Sequence, residues 1–326
     1  MLGVGFGVAM AAGATHADPV RSLDAGAAGR IEFRSLGRDN AVVWGDFALA
    51  RSSAAKQPAM VVVHGSSGPS PHREGRYARE LGKLGIATFV LDSFGPRGVR
   101  NTSGKQNRVS MDKVIGDAFA GLRLLATHPR IDRERIGVIG WSKGGGVALN
   151  LSASQFLSRY LGGRGLRFAM HISFYPWCGM QFRTVRPTRA PLLMIIGGAD
   201  DYNGVADCRR YIGRMRAAGM NARLVVYPGA HHAFDHNPRI GRRRLTRAQN
   251  FRNCRLFMDD GLQLIDPRSQ QRMRSRREVW SYFRSCATRG ATIAPHPAAR
   301  RRAMADVKRF VAAHLLGAGA RKGAAR

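Results

Sequence analysis

The chain has 326 residues, 44% of them hydrophobic, with 39 glycines and a formal charge of +32. That length can bury a full-sized core and that composition is ordinary for a globular α/β protein, which excludes collagen, chain-wide disorder and an all-membrane architecture. The charge is almost all arginine, spread from Arg21 to Arg326 with only seven lysines and no zinc-finger, helix-turn-helix or RNA-binding aromatic pattern, so it predicts nonspecific adhesion to anionic surfaces rather than a specific nucleic-acid partner.

Residues 1–14 form an apolar stretch of signal-peptide length, and Thr15-His16-Ala17 closes it on small residues, with Ala17 the expected last residue before cleavage. Residues 1–17 therefore read as a signal peptide, and the lack of a basic n-region points to a true start further upstream. The stretch is too short and glycine-rich to span a bilayer, so no stable membrane span is expected once the leader is removed. Export to the periplasm or beyond is the expected localisation.

Residues 30–36 and 41–49 alternate as the two strands of an opening hairpin. The β-branched run at 59–64 reads as a strand buried on both faces, ended by the loop Gly65-Ser66-Ser67-Gly68-Pro69. A helix over 74–84, closed by Gly85, leads to a strand at 86–91. The alternation continues with a helix over 111–127, a strand at 135–140 and a helix over 143–157. Strands at 169–175 and 192–196 follow, separated by a loop, then a helix over 207–218, a strand at 222–227 and a final amphipathic helix over 299–316. Strand and helix taking turns predicts an α/β fold with a mainly parallel central sheet, helices on both faces, and the loops after the strands gathered along one edge. A single domain over 18–316 is expected. Within it, 235–297 falls outside the repeat as an arginine-rich insertion, either a partial lid or a decorated surface loop. The small, basic residues 317–326 read as a disordered tail.

The even count of cysteines, Cys178, Cys208, Cys254 and Cys286, fits export, and the absence of any C-x-x-C pair argues against zinc. Three pairings are possible. Cys178 with Cys208 joins segments that follow neighbouring strands, and Cys254 with Cys286 staples the insertion, so this pairing is expected; free buried thiols are the alternative.

Three motifs carry chemistry. Gly140-Trp141-Ser142-Lys143-Gly144 matches G-x-S-x-G between an apolar strand and a helical run, the order that a nucleophile elbow needs. A serine hydroxyl needs a base beside it, and His231-His232 directly after the last strand offers two, of which His232 is preferred. The base needs an acid to hold its tautomer. Asp200 takes that part, while Asp201 beside it is a candidate cap for the following helix. The order Ser142, Asp200, His232 is that of α/β-hydrolases. An oxyanion hole is expected from the backbone N–H groups of Lys143, at the helix start, and Ser66, in the turn after the first buried strand. His64 lines that turn in a structural part.

Together with Val62-Val63-His64-Gly65, Leu91-Asp92-Ser93-Phe94-Gly95-Pro96-Arg97-Gly98, Tyr175-Pro176-Trp177-Cys178 and Tyr227-Pro228-Gly229-Ala230, these motifs make the chain resemble the dienelactone hydrolase family of α/β-hydrolases over about 59–316. The resemblance implies the catalytic parts for Ser142, Asp200 and His232, the oxyanion parts for Ser66 and Lys143, and no metal or organic cofactor. Dienelactone hydrolase itself has cysteine where Ser142 stands, so an esterase-like serine member, acting on a small-molecule ester or lactone through an acyl-Ser142 intermediate, is expected. A peptidase or amidase, and a noncatalytic protein that binds anionic partners, are the alternatives. Arg97 is a candidate for pairing with a substrate carboxylate, or for organising its loop. Trp141 and Trp177 are candidate pocket walls, with core packing the other reading.

Overall fold

The computed structural model describes residues 18–162 and 165–316. The signal peptide read over 1–17 and the tail read over 317–326 lie outside the described residues. The chain opens with β1 (Gly29–Arg34) and β2 (Val42–Ala48), an antiparallel pair, followed by β3 (Gln57–Val63), α1 (Glu74–Gly82) and β4 (Ala87–Asp92). Next come α2 (Met111–Leu125), β5 (Ile131–Trp141), α3 (Lys143–Asn150), α4 (Ser154–Leu161), β6 (Met170–Phe174) and the short β7 (Met180–Phe182). β8 (Leu192–Gly197), α5 (Val205–Ala217) and β9 (Ala222–Tyr227) complete the main sheet.

Eight strands lie in the order β1-β2-β4-β3-β5-β6-β8-β9. β2 runs antiparallel to β1 and β4, and every pair from β4 through β9 is parallel. All seven residues of β3 are buried, as the unbroken apolar run requires of a central strand covered on both sides. Its side chains sort by the two-residue period of a strand: Met60 and Val62 join the core formed with α1 and α5, and Val61 and Val63 join the core formed with α2. Among the described residues no helix is long and apolar enough to cross a membrane.

The single helix expected over 143–157 is two. After α3 the chain leaves the helical path: Ser152 Oγ donates to Leu149 O, Ala153 bridges Pro187, and Ser154 N donates to Arg186 O. Contacts with a segment more than thirty residues downstream thus override a local pattern that favours continuation. β7, in what reads as a plain loop, has a similar origin, because its pairing partner lies in 235–297.

That segment carries β10 (Arg243–Arg244), β11 (Gln249–Asn250), β12 (Leu256–Met258), β13 (Leu264–Ile265), α6 (Arg276–Cys286), β14 (Thr288–Arg289) and β15 (Thr292–Ile293), before α7 (Pro297–His314), which packs in the core on the α1 and α5 side. β10 pairs with β15 and β11 with β14, so the outgoing and returning ends run side by side. β12 pairs in parallel with β7, which docks the middle of the segment on the body. Disulfides join Cys178 to Cys208 and Cys254 to Cys286, the pairing expected from the sequence.

Candidate active site

Parallel strands deliver Ser142, Asp200 and His232 to one edge of the sheet, after β5, β8 and β9 respectively. Ser142 has φ 53° and ψ −110°, a conformation that L-residues rarely adopt and that turns its side chain out at the sharp passage from β5 into α3. Glycine permits that passage. A Cβ at Gly140 would collide with the carbonyl oxygen of Gly144, and one at Gly144 with that of Val63.

His232 Nε2 lies 3.0 Å from Ser142 Oγ, and its Nδ1 lies 2.9 Å from Asp200 Oδ2. The other Asp200 oxygen accepts from the backbone N–H groups of Tyr202 and Asn203, which orients the carboxylate. His232 and Asp200 are both buried, and the rings of Tyr175 and Tyr202 flank the imidazole at 4.6 and 4.9 Å. A carboxylate in that position favours the tautomer with the proton on Nδ1, leaving Nε2 to accept from the serine.

Two more residues of this edge, Tyr175 and Ala233, have positive φ, at 36° and 58°. Strained backbone persists only where the surroundings over-determine it. Tyr175 is pinned at its N–H by Ile195 O, at its carbonyl by Asn203 Nδ2 and at its hydroxyl by Asp235 Oδ1. Asp235 is itself fully buried and accepts a second bond from Trp141 Nε1 at 2.8 Å. The buried carboxylate therefore locks the strand end before Ser142 to the loop after His232. Burial, together with the Asp235 charge, pushes the Tyr175 phenol well above its ordinary range, so it stays a neutral donor.

The turn after β3 lies against Ser142: a Cβ built on Gly65 would be 3.6 Å from Ser142 Cβ. Among the described residues, the backbone N–H groups of Ser66 and Lys143 have no partner. His64 is buried, with Nδ1 2.7 Å from Gly65 O and Nε2 accepting from Ser93 N, and burial lowers its pKa. It shapes the turn as a neutral ring. The Lys143 side chain reaches the other way, its Nζ donating to Gln106 O and Val109 O at 2.7 and 2.6 Å. Burial strips that amine of water and pushes its pKa down to about 7.

Gln106 is a hub that no motif announced. Its side-chain oxygen accepts from Ser66 Oγ, its amide nitrogen donates to Tyr202 Oη, and its backbone N–H donates to Gln249 Oε1. The returning end of 235–297 braces the site as well. Asp201 accepts from Thr292 N and Oγ1, and Ala294 N donates to His232 O. Asp201 is thus an anchor for β15 and not a cap, since Gly204 occupies the cap position of α5.

Two of the expected substrate contacts are corrected. Arg97 donates to both oxygens of Asp117, both of Asp39, and Ser93 O. Although burial works against the charge, those carboxylates hold the guanidinium above its ordinary range, and the side chain is 8% exposed. It organises its loop and has no free face for a substrate carboxylate. Trp141 is fully buried between Phe174 and Tyr77, so it is core. Trp177, in contrast, lines a cleft of about 950 Å³ that opens on Ser142, Ser66 and Lys143.

The sequence matches the dienelactone hydrolase family over residues 46–257. It is 23% identical over 221 residues, covering 62% of this chain and 83% of the relative, to a Bradyrhizobium protein described as "Probable 2-oxo-3-(5-oxofuran-2-ylidene)propanoate lactonase". The fold is similar to that of a thermophilic esterase from Thermogutta terrifontis in its native form, with TM-score 0.51, 18% identity, and coverage of 65% of this chain and 85% of that one. A structure of Thermogutta terrifontis esterase 2 phosphorylated by paraoxon is similar at TM-score 0.50 and 18% identity, covering 64% and 85% of the two chains.

Proposed function

The chain belongs to the dienelactone hydrolase family, and from that premise we propose that it is a serine hydrolase of esters or lactones, with Ser142, Asp200 and His232 as its catalytic triad. The observation that carries this reading is one continuous chain of hydrogen bonds, from Asp200 Oδ2 through the His232 ring to Ser142 Oγ.

In the first half of the reaction His232 Nε2 takes the hydroxyl proton as Ser142 Oγ bonds to the acyl carbon. The carbonyl oxygen, now negative, accepts from the Ser66 and Lys143 backbone N–H groups. Collapse breaks the bond to the alkoxy oxygen, which receives the proton from His232 and leaves as an alcohol. In the second half, water gives a proton to His232 and its oxygen to the acyl carbon. The bond from the acyl carbon to Ser142 Oγ then breaks, the acid departs, and Ser142 Oγ takes back the proton from His232. A lactone follows the same steps with its alcohol tethered to the acyl group, and the similarity to a lactonase supports including that class.

The two disulfides support an oxidising compartment, periplasmic or secreted, where such bonds persist. The catalytic reading is tested by labelling with a fluorophosphonate and mapping the modified peptide. Modification of Ser142, absent in Ser142→Ala together with turnover of p-nitrophenyl acetate, is the expected result. Label on another residue, or unchanged turnover in Ser142→Ala, overturns it.

A further inference from the structure

The cleft above Ser142 is far larger than a small acyl group needs. Its volume of about 950 Å³ sits at the upper end of the range for small-molecule pockets and has room for roughly 30 water-sized groups. An acetyl group would leave most of it wet.

The walls away from Ser142 are apolar and come from two sources. α2, α4 and the strand β7 contribute Met111, Ile115, Phe156 and Met180. Segment 235–297 contributes Met258, Leu264, Met273, Val279, Trp280 and Phe283. Four of these ten are methionines, whose unbranched, polarisable side chains fit irregular or variable apolar shapes. Polar lining residues include Ser66, Gln106 and Tyr202, together with Asp112, Lys113 and Gln263 and the exposed Arg38, Arg159 and Arg276.

The wall from 235–297 is also built to stay in place. α6, which carries Val279, Trp280 and Phe283, starts with a capping box at Ser275 and Glu278 and ends at the disulfide to Cys254. Phe283 packs on Phe251 and Trp177, with ring centres 4.9 and 6.1 Å apart. Parallel pairing of β12 with β7 joins this wall to the body. A mere surface decoration would present its apolar side chains to its own core; these face the cleft that holds the nucleophile.

Resting on the hydrolase reading above, we propose that segment 235–297 makes this a site for esters with a large apolar portion, a chain of about eight or more carbons or a ring system of that size, lying against α6 and the methionine wall. The apolar portion belongs to either the acid or the alcohol side of the ester, and the test separates the two.

The experiment measures kcat/KM for p-nitrophenyl alkanoates from acetate to dodecanoate, and for acetate esters of alcohols from ethanol to dodecanol, below their aggregation thresholds. The expected result is a rise of tenfold or more between two and eight to twelve carbons in at least one series. The series that rises identifies the side of the ester that the cleft holds. In Val279→Asp, and separately in Trp280→Ala, that rise shrinks at least fivefold as a ratio of long to short substrate. A flat or falling profile in both series, with acetate still cleaved, overturns the large apolar substrate and leaves the hydrolase reading standing. A rise that both variants retain, with folding verified by circular dichroism, overturns the part assigned to α6. Failure to cleave any ester overturns both readings.

Discussion

His232 Nε2 stands 3.0 Å from Ser142 Oγ across 90 residues of chain, while the adjacent His231 makes no bond to the serine and its buried Nδ1 has no partner among the described residues. His232 lies in an extended bridge with Ile293, where consecutive side chains point to opposite sides, and so the two neighbouring histidines have opposite fates. His232→Ala is expected to lower kcat for p-nitrophenyl acetate by about 10⁴-fold or more, and His231→Ala by less than about threefold. Equal losses in the two variants would contradict the assignment.

The neighbouring aspartates divide in the same way. Asp200→Asn leaves a hydrogen-bonding group but no charge to stabilise the imidazolium, and it favours the wrong tautomer, so kcat falls by about 10³- to 10⁴-fold with little change in fold. Asp201→Asn loosens β15 at Thr292 instead. Its expected effect on kcat is below about tenfold, with faster amide exchange at 292–294 as the measurement that reveals it.

Arg97→Ala strips the fully buried Asp117 of its guanidinium partner, leaving a carboxylate in the core without its charge compensation. Breaking such a buried pair costs about 3–5 kcal/mol, readable by urea denaturation. Neutral and carboxylated esters should suffer equal changes in kcat/KM in the surviving fold. A selective loss for carboxylated esters would restore a substrate-binding part to this arginine.

Lys143 supplies a pH signature. Its amine has a folded pKa of about 7 against an ordinary value of 10.5, so between those values the unfolded chain holds a proton that the folded chain lacks. Stability contributed at this position therefore rises with pH from about 7 toward 10, by at most about 1.4 kcal/mol per pH unit, and is flat below 7 where both states are charged. Lys143→Met keeps the backbone N–H and removes the titration. The difference in unfolding free energy between wild type and variant should rise across that window; a flat difference would mean that the buried amine stays charged throughout.

The Cys254–Cys286 bond closes a loop over the part of 235–297 that walls the cleft. Replacing both cysteines with serine is expected to cost about 2–4 kcal/mol in the stability of that loop. Limited proteolysis should then cut within 254–286 at least tenfold faster while the body of the sheet resists. Unchanged cutting would show that packing on Trp177 and pairing with β7 hold the wall without the covalent link.

From the sequence by itself came the α/β class, the parallel strands and the three loops that bear Ser142, Asp200 and His232. These are legible because they are written locally: β-branched runs mark covered strands, glycines at Gly140 and Gly144 mark a tight bend, and motif order along the chain follows strand order. Only the tertiary structure decided that Arg97 is spent on Asp39 and Asp117, that Trp141 is core and tied to Asp235, that Asp201 anchors β15, and that the helix after Ser142 breaks at 151–153. It also decided that 235–297 forms a cleft wall. Each of these depends on which distant group a side chain meets. A local pattern encodes backbone preference and burial, but the hydrogen-bond partner of a charge is chosen by chain segments tens of residues away.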